Sequence, residues 1–157
     1  MCFMTVLSTD SPRDLAQLGD AHLTFSRSVP ALPEAACLEH AHRWYLGSRE
    51  GCSCGFRHLM AASASLGFGA PEDWYPEDVD DVAATLAVVA AFKCILADGA
   101  QLDCVDGWAS DQPAPMALAA TIGVDLGTLP AGHFRFIENH RFTFTDATVS
   151  PGAARPD

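Results

Sequence analysis

The chain contains a single lysine, Lys93, and nine basic residues in all against twenty acidic ones, for a formal net charge of −11. So little positive charge leaves no surface able to displace counterions from phosphate, and nucleic acid is excluded as an expected partner. The same deficit works against docking on anionic membranes. A long apolar span is missing too. The best candidate, Val82 to Ala97, is 16 residues, alanine-rich and broken by Lys93, short of the roughly 20 residues that cross a bilayer. The opening residues, Met1-Cys2-Phe3-Met4-Thr5, show neither the basic start nor the small-residue cleavage site of a secretory signal. The expectation is a soluble, cytoplasmic protein. Its Ala-, Arg- and Asp-rich, lysine-poor composition fits a GC-rich bacterial genome.

Internal repeats and interdomain linkers are also lacking. At 157 residues and 49% hydrophobic content the chain is long enough to bury one core. Residues 2–8 alternate and read as a strand. Ser11-Pro12-Arg13-Asp14 opens a short helix to Leu18. Residues 22–27 form a second strand, Glu34 to His42 a short helix, and residues 43–46 a third strand. A helix is expected from Gly55 or Phe56 to Leu66, and a longer one from Pro76 to Asp98, with Gly99 as its left-handed cap. Apolar residues on most sides of that longer helix make it the expected buried centre. Residues 101–108 read as a strand, and residues 117–124 fit helix or strand. Phe134-Arg135-Phe136 and Phe142-Thr143-Phe144 alternate about Glu138-Asn139-His140, which predicts a hairpin. The sum is a single α+β domain over residues 1–146, with a mixed or antiparallel sheet and a flexible tail over residues 147–157.

The most unusual chemistry lies in Gly51-Cys52-Ser53-Cys54-Gly55-Phe56-Arg57-His58. If a strand ends near Ser48 and a helix begins near Gly55, both thiols sit at a helix N-terminus, which favours thiolate. Arg43, Arg49 and Arg57 stand against Glu50 alone between His40 and His58, adding to that bias. His58, four residues after Cys54, would then face the same side of the helix. Zinc prefers four sulfur and imidazole ligands. Cys52, Cys54 and His58 supply three, with His42 the favoured fourth and His40, Cys37, Cys2 and Cys104 the other candidates. The usual C-x2-C spacing and a second ligand pair are both lacking.

Two other readings stand beside the zinc site. A Cys52–Cys54 disulfide would close a very small, strained ring, which suits thiol–disulfide exchange or sensing. A single-nucleophile reading with Cys54 and His58 needs a third, orienting group that the sequence does not identify. In the remaining reading the cysteines are incidental. The chain is then a protein-interaction module built on Trp74, Tyr75 and the acids Glu72, Asp73, Glu77, Asp78, Asp80 and Asp81, which are otherwise a solvated helix start. Cys37, Cys94 and Cys104 are expected in the core.

Overall fold

In the first strand, Thr5 to Thr9 are all buried, so both faces of the strand are covered. The computed structural model, which describes residues 2–75, 77–109 and 117–149, shows what covers each face. β1 (Cys2–Thr9) pairs antiparallel with β3 (His42–Ser48) on one side and β5 (Leu102–Ala109) on the other. β2 (Leu23–Ser26) extends the sheet beyond β3, and β8 (His140–Thr145) and β6 (Ala120–Asp125) extend it beyond β5. The six-stranded order is β2-β3-β1-β5-β8-β6, and only the β6–β8 pair is parallel. The sheet is therefore mixed. A separate parallel pair joins β4 (His58–Leu59) to β7 (Phe136–Ile137).

The period-2 alternation of strands sorts the core into two clusters. Leu7, Trp44, Leu46, Cys104, Phe142 and Phe144 point to one side, where they meet Val88, Val89 and Phe92 of α1 (Val79–Ala97). Val6 and Val105 point to the other, under Leu32, Ala35 and Leu38 of the single-turn region Pro33–Cys37. α1 starts at Asp78, whose side chain accepts from the Asp80 N–H at 2.9 Å, and stops at Gly99 with φ +82°.

The structure corrects several expectations. α1 is buried on one side only: Ala84, Thr85, Val88, Val89, Ala91, Phe92 and Ile95 face the sheet, while Val79, Leu86 and Cys94 are exposed. A one-layer cover over a sheet needs a single apolar stripe, and alanine on the outer side satisfies helix propensity without burial. Cys94 is thus a surface thiol. The expected helices at 11–18, 34–42 and 55–66 shrink to 3-10 turns at Leu15–Leu18, Pro33–Cys37, Ser53–Gly55 and Ala61–Leu66. In the last case strand pairing competes with helix. The Phe136 and Glu138 N–H groups bond the Arg57 and Leu59 carbonyls, both at 2.9 Å, and hold residues 57–59 extended. The expected terminal hairpin does not form either, because β7 pairs with β4 while β8 lies between β5 and β6. Asn139, at φ +63°, turns the chain between them. Of the expected tail, residues 150–157 lie outside the described residues, and the Ala147 N–H is held by Asp125 at 2.9 Å.

Candidate functional site

The site forms where the sheet divides. β1 and β3 pair from Thr9–His42 up to Thr5–Leu46. Beyond Leu46, β3 stays with β2 through Gly47 and Ser48, and Cys2 to Met4 lose their β3 partner. Ser53, fully buried, fills the fork. Its Oγ accepts the Thr5 N–H at 2.9 Å and donates to the Leu46 carbonyl at 2.6 Å, and its own N–H donates to the Tyr45 hydroxyl at 3.2 Å. Ser53 thereby delivers its two neighbours, Cys52 and Cys54, to the start of β1.

The loop reaches this position through two glycines. Gly51 takes φ +76°, which L side chains rarely adopt, and closes a turn onto the Ser48 carbonyl at 2.7 Å. Gly55 packs on Ser48, where a Cβ would come within 2.9 Å of the Ser48 Cβ. The flanking glycines of the Cys-Ser-Cys stretch thus set its path.

As a result the Sγ atoms of Cys2, Cys52 and Cys54 all lie within 4.8 Å of one another. Sulfurs sharing one tetrahedral zinc stand ~3.8 Å apart, from Zn–S bonds of about 2.3 Å, so a small inward shift suffices. All three are free thiols, with Cys2 and Cys54 exposed and Cys52 half-buried. Cys2 was one of several candidate fourth ligands in the sequence; the sheet makes it a member of the group.

The expected bias towards thiolate is reversed at Cys54. The three residues Ser53–Gly55 form no helix with a dipole to contribute. The arginines are engaged elsewhere: Arg49 with Asp80 at 3.2 Å, Arg57 with Glu77 at 2.7 Å, and Arg43 with the Leu38 carbonyl at 3.4 Å. Although much of Cys54 is open to solvent, partial burial of its sulfur, then hydrogen bonding with Cys52 and Cys2, pushes the thiol up to about 12. The Phe3 N–H opposes this only in part.

The expected histidine ligands lie elsewhere. His42 starts β3, whose seven-residue length puts it about 20 Å from the Cys52 end. His58 is buried and has both ring nitrogens occupied. Nε2 bonds the Ser53 carbonyl at 2.8 Å, and Nδ1 bonds Asp106 at 3.0 Å. A carbonyl only accepts, so Nε2 carries a proton and has no lone pair to offer a metal. Asp106 is the orienting group that a Cys–His nucleophile would require, yet His58 directs Nε2 to Ser53 and not to a sulfur.

Sequence reasoning also missed a buried Arg–Glu–Arg cluster. Glu77, expected among solvated acids, is buried between Arg57 and Arg135, at 2.7 and 3.1 Å. The two guanidiniums also bond the carbonyls of Gly69, Ala70, Phe134 and Gly132. No local periodicity marks such a cluster, since its members are 20 and 58 residues apart. No helix of the described residues is long and apolar enough to cross a membrane. No family model, curated protein or solved structure matches this chain.

Proposed function

We propose that this protein binds a transition-metal ion, zinc in the first instance, through the thiolates of Cys2, Cys52 and Cys54. The observation that carries the reading is the convergence of three sulfurs from two distant parts of the chain within 4.8 Å. Soft thiolates select zinc, monovalent copper or iron–sulfur chemistry over hard cations. Cys2 takes the third place expected of His58, whose ring is fixed by Asp106 and Ser53.

Burial and hydrogen bonding push the Cys54 thiol up to about 12, which works against Cys54 as the attacking group in disulfide exchange. Exchange needs a standing population of attacking thiolate. A metal instead displaces the proton as it binds. A reducing compartment such as the cytoplasm suits a site that works with free thiols.

Elemental analysis of untagged, reduced protein, with thiol titration before and after chelation, tests the reading. The expected result is one metal per chain, Cys2, Cys52 and Cys54 masked until the chelator is added, and loss of metal in Cys52→Ser and Cys54→Ser. Cys2, Cys52 and Cys54 titrating freely with zinc present would overturn it.

A further inference from the structure

The three thiols differ in how firmly their backbones are held. Ser53, between Cys52 and Cys54, has its main chain and its side chain engaged. Its N–H donates to the Tyr45 hydroxyl at 3.2 Å and its carbonyl meets the His58 ring at 2.8 Å. Its Oγ joins the Thr5 N–H and the Leu46 carbonyl. The Cys54 N–H in turn donates to the Cys52 sulfur at 3.2 Å. The path of Cys52-Ser53-Cys54 is therefore fixed at its centre. Cys2 lies exposed at the start of β1, beyond the last β1–β3 pair at Thr5. It pairs with Ala109 of β5 and, among the described residues, has no β3 partner.

That difference decides which sulfurs can join. A disulfide needs its sulfurs ~2.05 Å apart, with the two Cβ–S bonds near a right angle about it. Bonding Cys52 to Cys54 closes a very small ring and asks the backbone to bend at Ser53, where its hydrogen bonds resist. Cys2 comes from a separate strand, and its sulfur already lies within 4.8 Å of both loop sulfurs. A bond from Cys2 to either one closes a long loop and leaves the Ser53 turn as it stands.

We propose that Cys2 is the site of a reversible disulfide modification, which ties the start of β1 to the Cys52-Ser53-Cys54 loop when a hydroperoxide is the oxidant. First the Cys2 thiolate attacks the O–O bond. An S–O bond forms, the O–O bond breaks, the departing oxygen takes up a proton, and Cys2 becomes a sulfenic acid. A loop thiolate then attacks that sulfur; the S–S bond forms, the S–O bond breaks, and hydroxide leaves to become water. Two thiols give up two electrons and two protons, and the hydroperoxide is reduced to an alcohol and water. Cys2 and Cys54 are open to solvent, so the oxidant has access. The link removes two of the three sulfurs from the proposed metal site, so oxidation releases the ion and a dithiol reductant restores the site. That consequence rests on the metal-binding reading above, whereas the disulfide itself does not.

Hydrogen peroxide treatment of the reduced, metal-free, full-length chain, followed by non-reducing tryptic mapping of the monomer, tests the pairing. Cleavage after Arg13, Arg49 and Arg57 leaves Cys2 on one peptide and Cys52 with Cys54 on another. The two peptides are expected to be joined and to separate on addition of dithiothreitol. Cys2→Ser should slow the loss of the loop thiols at least about tenfold, since only the strained ring is left to close. The loop peptide alone and short of two hydrogens would reveal a Cys52–Cys54 bond and overturn the proposal. Sulfinic or sulfonic acid at Cys2 with no joined peptides would overturn it as well. With zinc-loaded protein, release of zinc in step with peptide joining is expected. Joined peptides from a chain that never binds zinc would remove the metal-binding reading and leave the disulfide standing. Zinc-binding protein in which peroxide never joins the peptides would do the reverse.

Discussion

The Phe3 ring lies flat against the His58 imidazole, with centroids 4.1 Å apart and planes 3° from parallel. Phe3 follows Cys2, and the Ser53 carbonyl bonded by His58 lies between Cys52 and Cys54. One buried side chain therefore holds both segments that bring sulfur to the site. Burial by itself favours the neutral ring, but the charge and hydrogen bond of Asp106, the Ser53 carbonyl and the charge of Asp81 outweigh it, and the His58 pKa is raised.

That direction sets a sign for stability against pH. A raised folded pKa stabilises the protein fully below the unfolded value of about 6.5, and the contribution disappears as pH rises through the folded value. Urea unfolding of wild type and His58→Gln, from about pH 5.5 to about pH 9, should show a stability gap that narrows with rising pH. A gap that widens would contradict the assignment.

The Arg57–Glu77–Arg135 cluster predicts a large effect far from any thiol. Glu77→Ala leaves two buried guanidiniums facing each other without their shared anion. The expected loss is about 3–5 kcal/mol, measured by urea unfolding. A loss below about 1 kcal/mol would place the cluster with ordinary surface pairs.

Gly55→Ala pushes a methyl group to within 2.9 Å of the Ser48 Cβ. Overpacking of this kind costs about 1–3 kcal/mol. Because the same loop carries Cys52 and Cys54, zinc affinity should fall together with stability. Competition with a colorimetric chelator reads the first and thermal unfolding the second. Destabilisation with unchanged affinity would show that the loop does not fix the sulfurs.

Metal binding should release the Cys54 proton throughout the neutral range, since partial burial and hydrogen bonding with Cys52 and Cys2 hold that thiol well above its ordinary value. Apparent zinc affinity therefore rises with pH, by about tenfold per unit from this sulfur alone. Affinity measured at about pH 6, 7 and 8 checks the slope. A flat profile would mean that Cys54 does not bind as thiolate.

Cys2 and His42 separate the tertiary from the sequence-based ligand set. Cys2→Ser should lower zinc affinity at least about tenfold, while His42→Gln, about 20 Å away along β3, should leave it unchanged. The reverse ranking would remove Cys2 from the site.

Much of the sheet was legible in the chain. Residues of β1, β2, β3 and β5 read as strands, and α1 was visible from its acidic first turns and its Gly99 stop, because these are local signals. The short elements were not legible. Residues 57–59 look helical until the chain around β7 supplies hydrogen-bond partners 79 residues away for both Arg57 and Leu59, and long-range pairing then overrides local propensity. The division is the same at the site. The amino-acid sequence determined that two thiols stand one residue apart between Gly51 and Gly55, in a chain of formal net charge −11. Only the tertiary structure decided that Cys2 joins them, that the arginines turn away and that His58 serves Asp106 and Ser53. Sequence spacing measures distance along the chain, whereas the fork between β1 and β3 brings residues 2 and 54 together while the extended β3 carries His42 away.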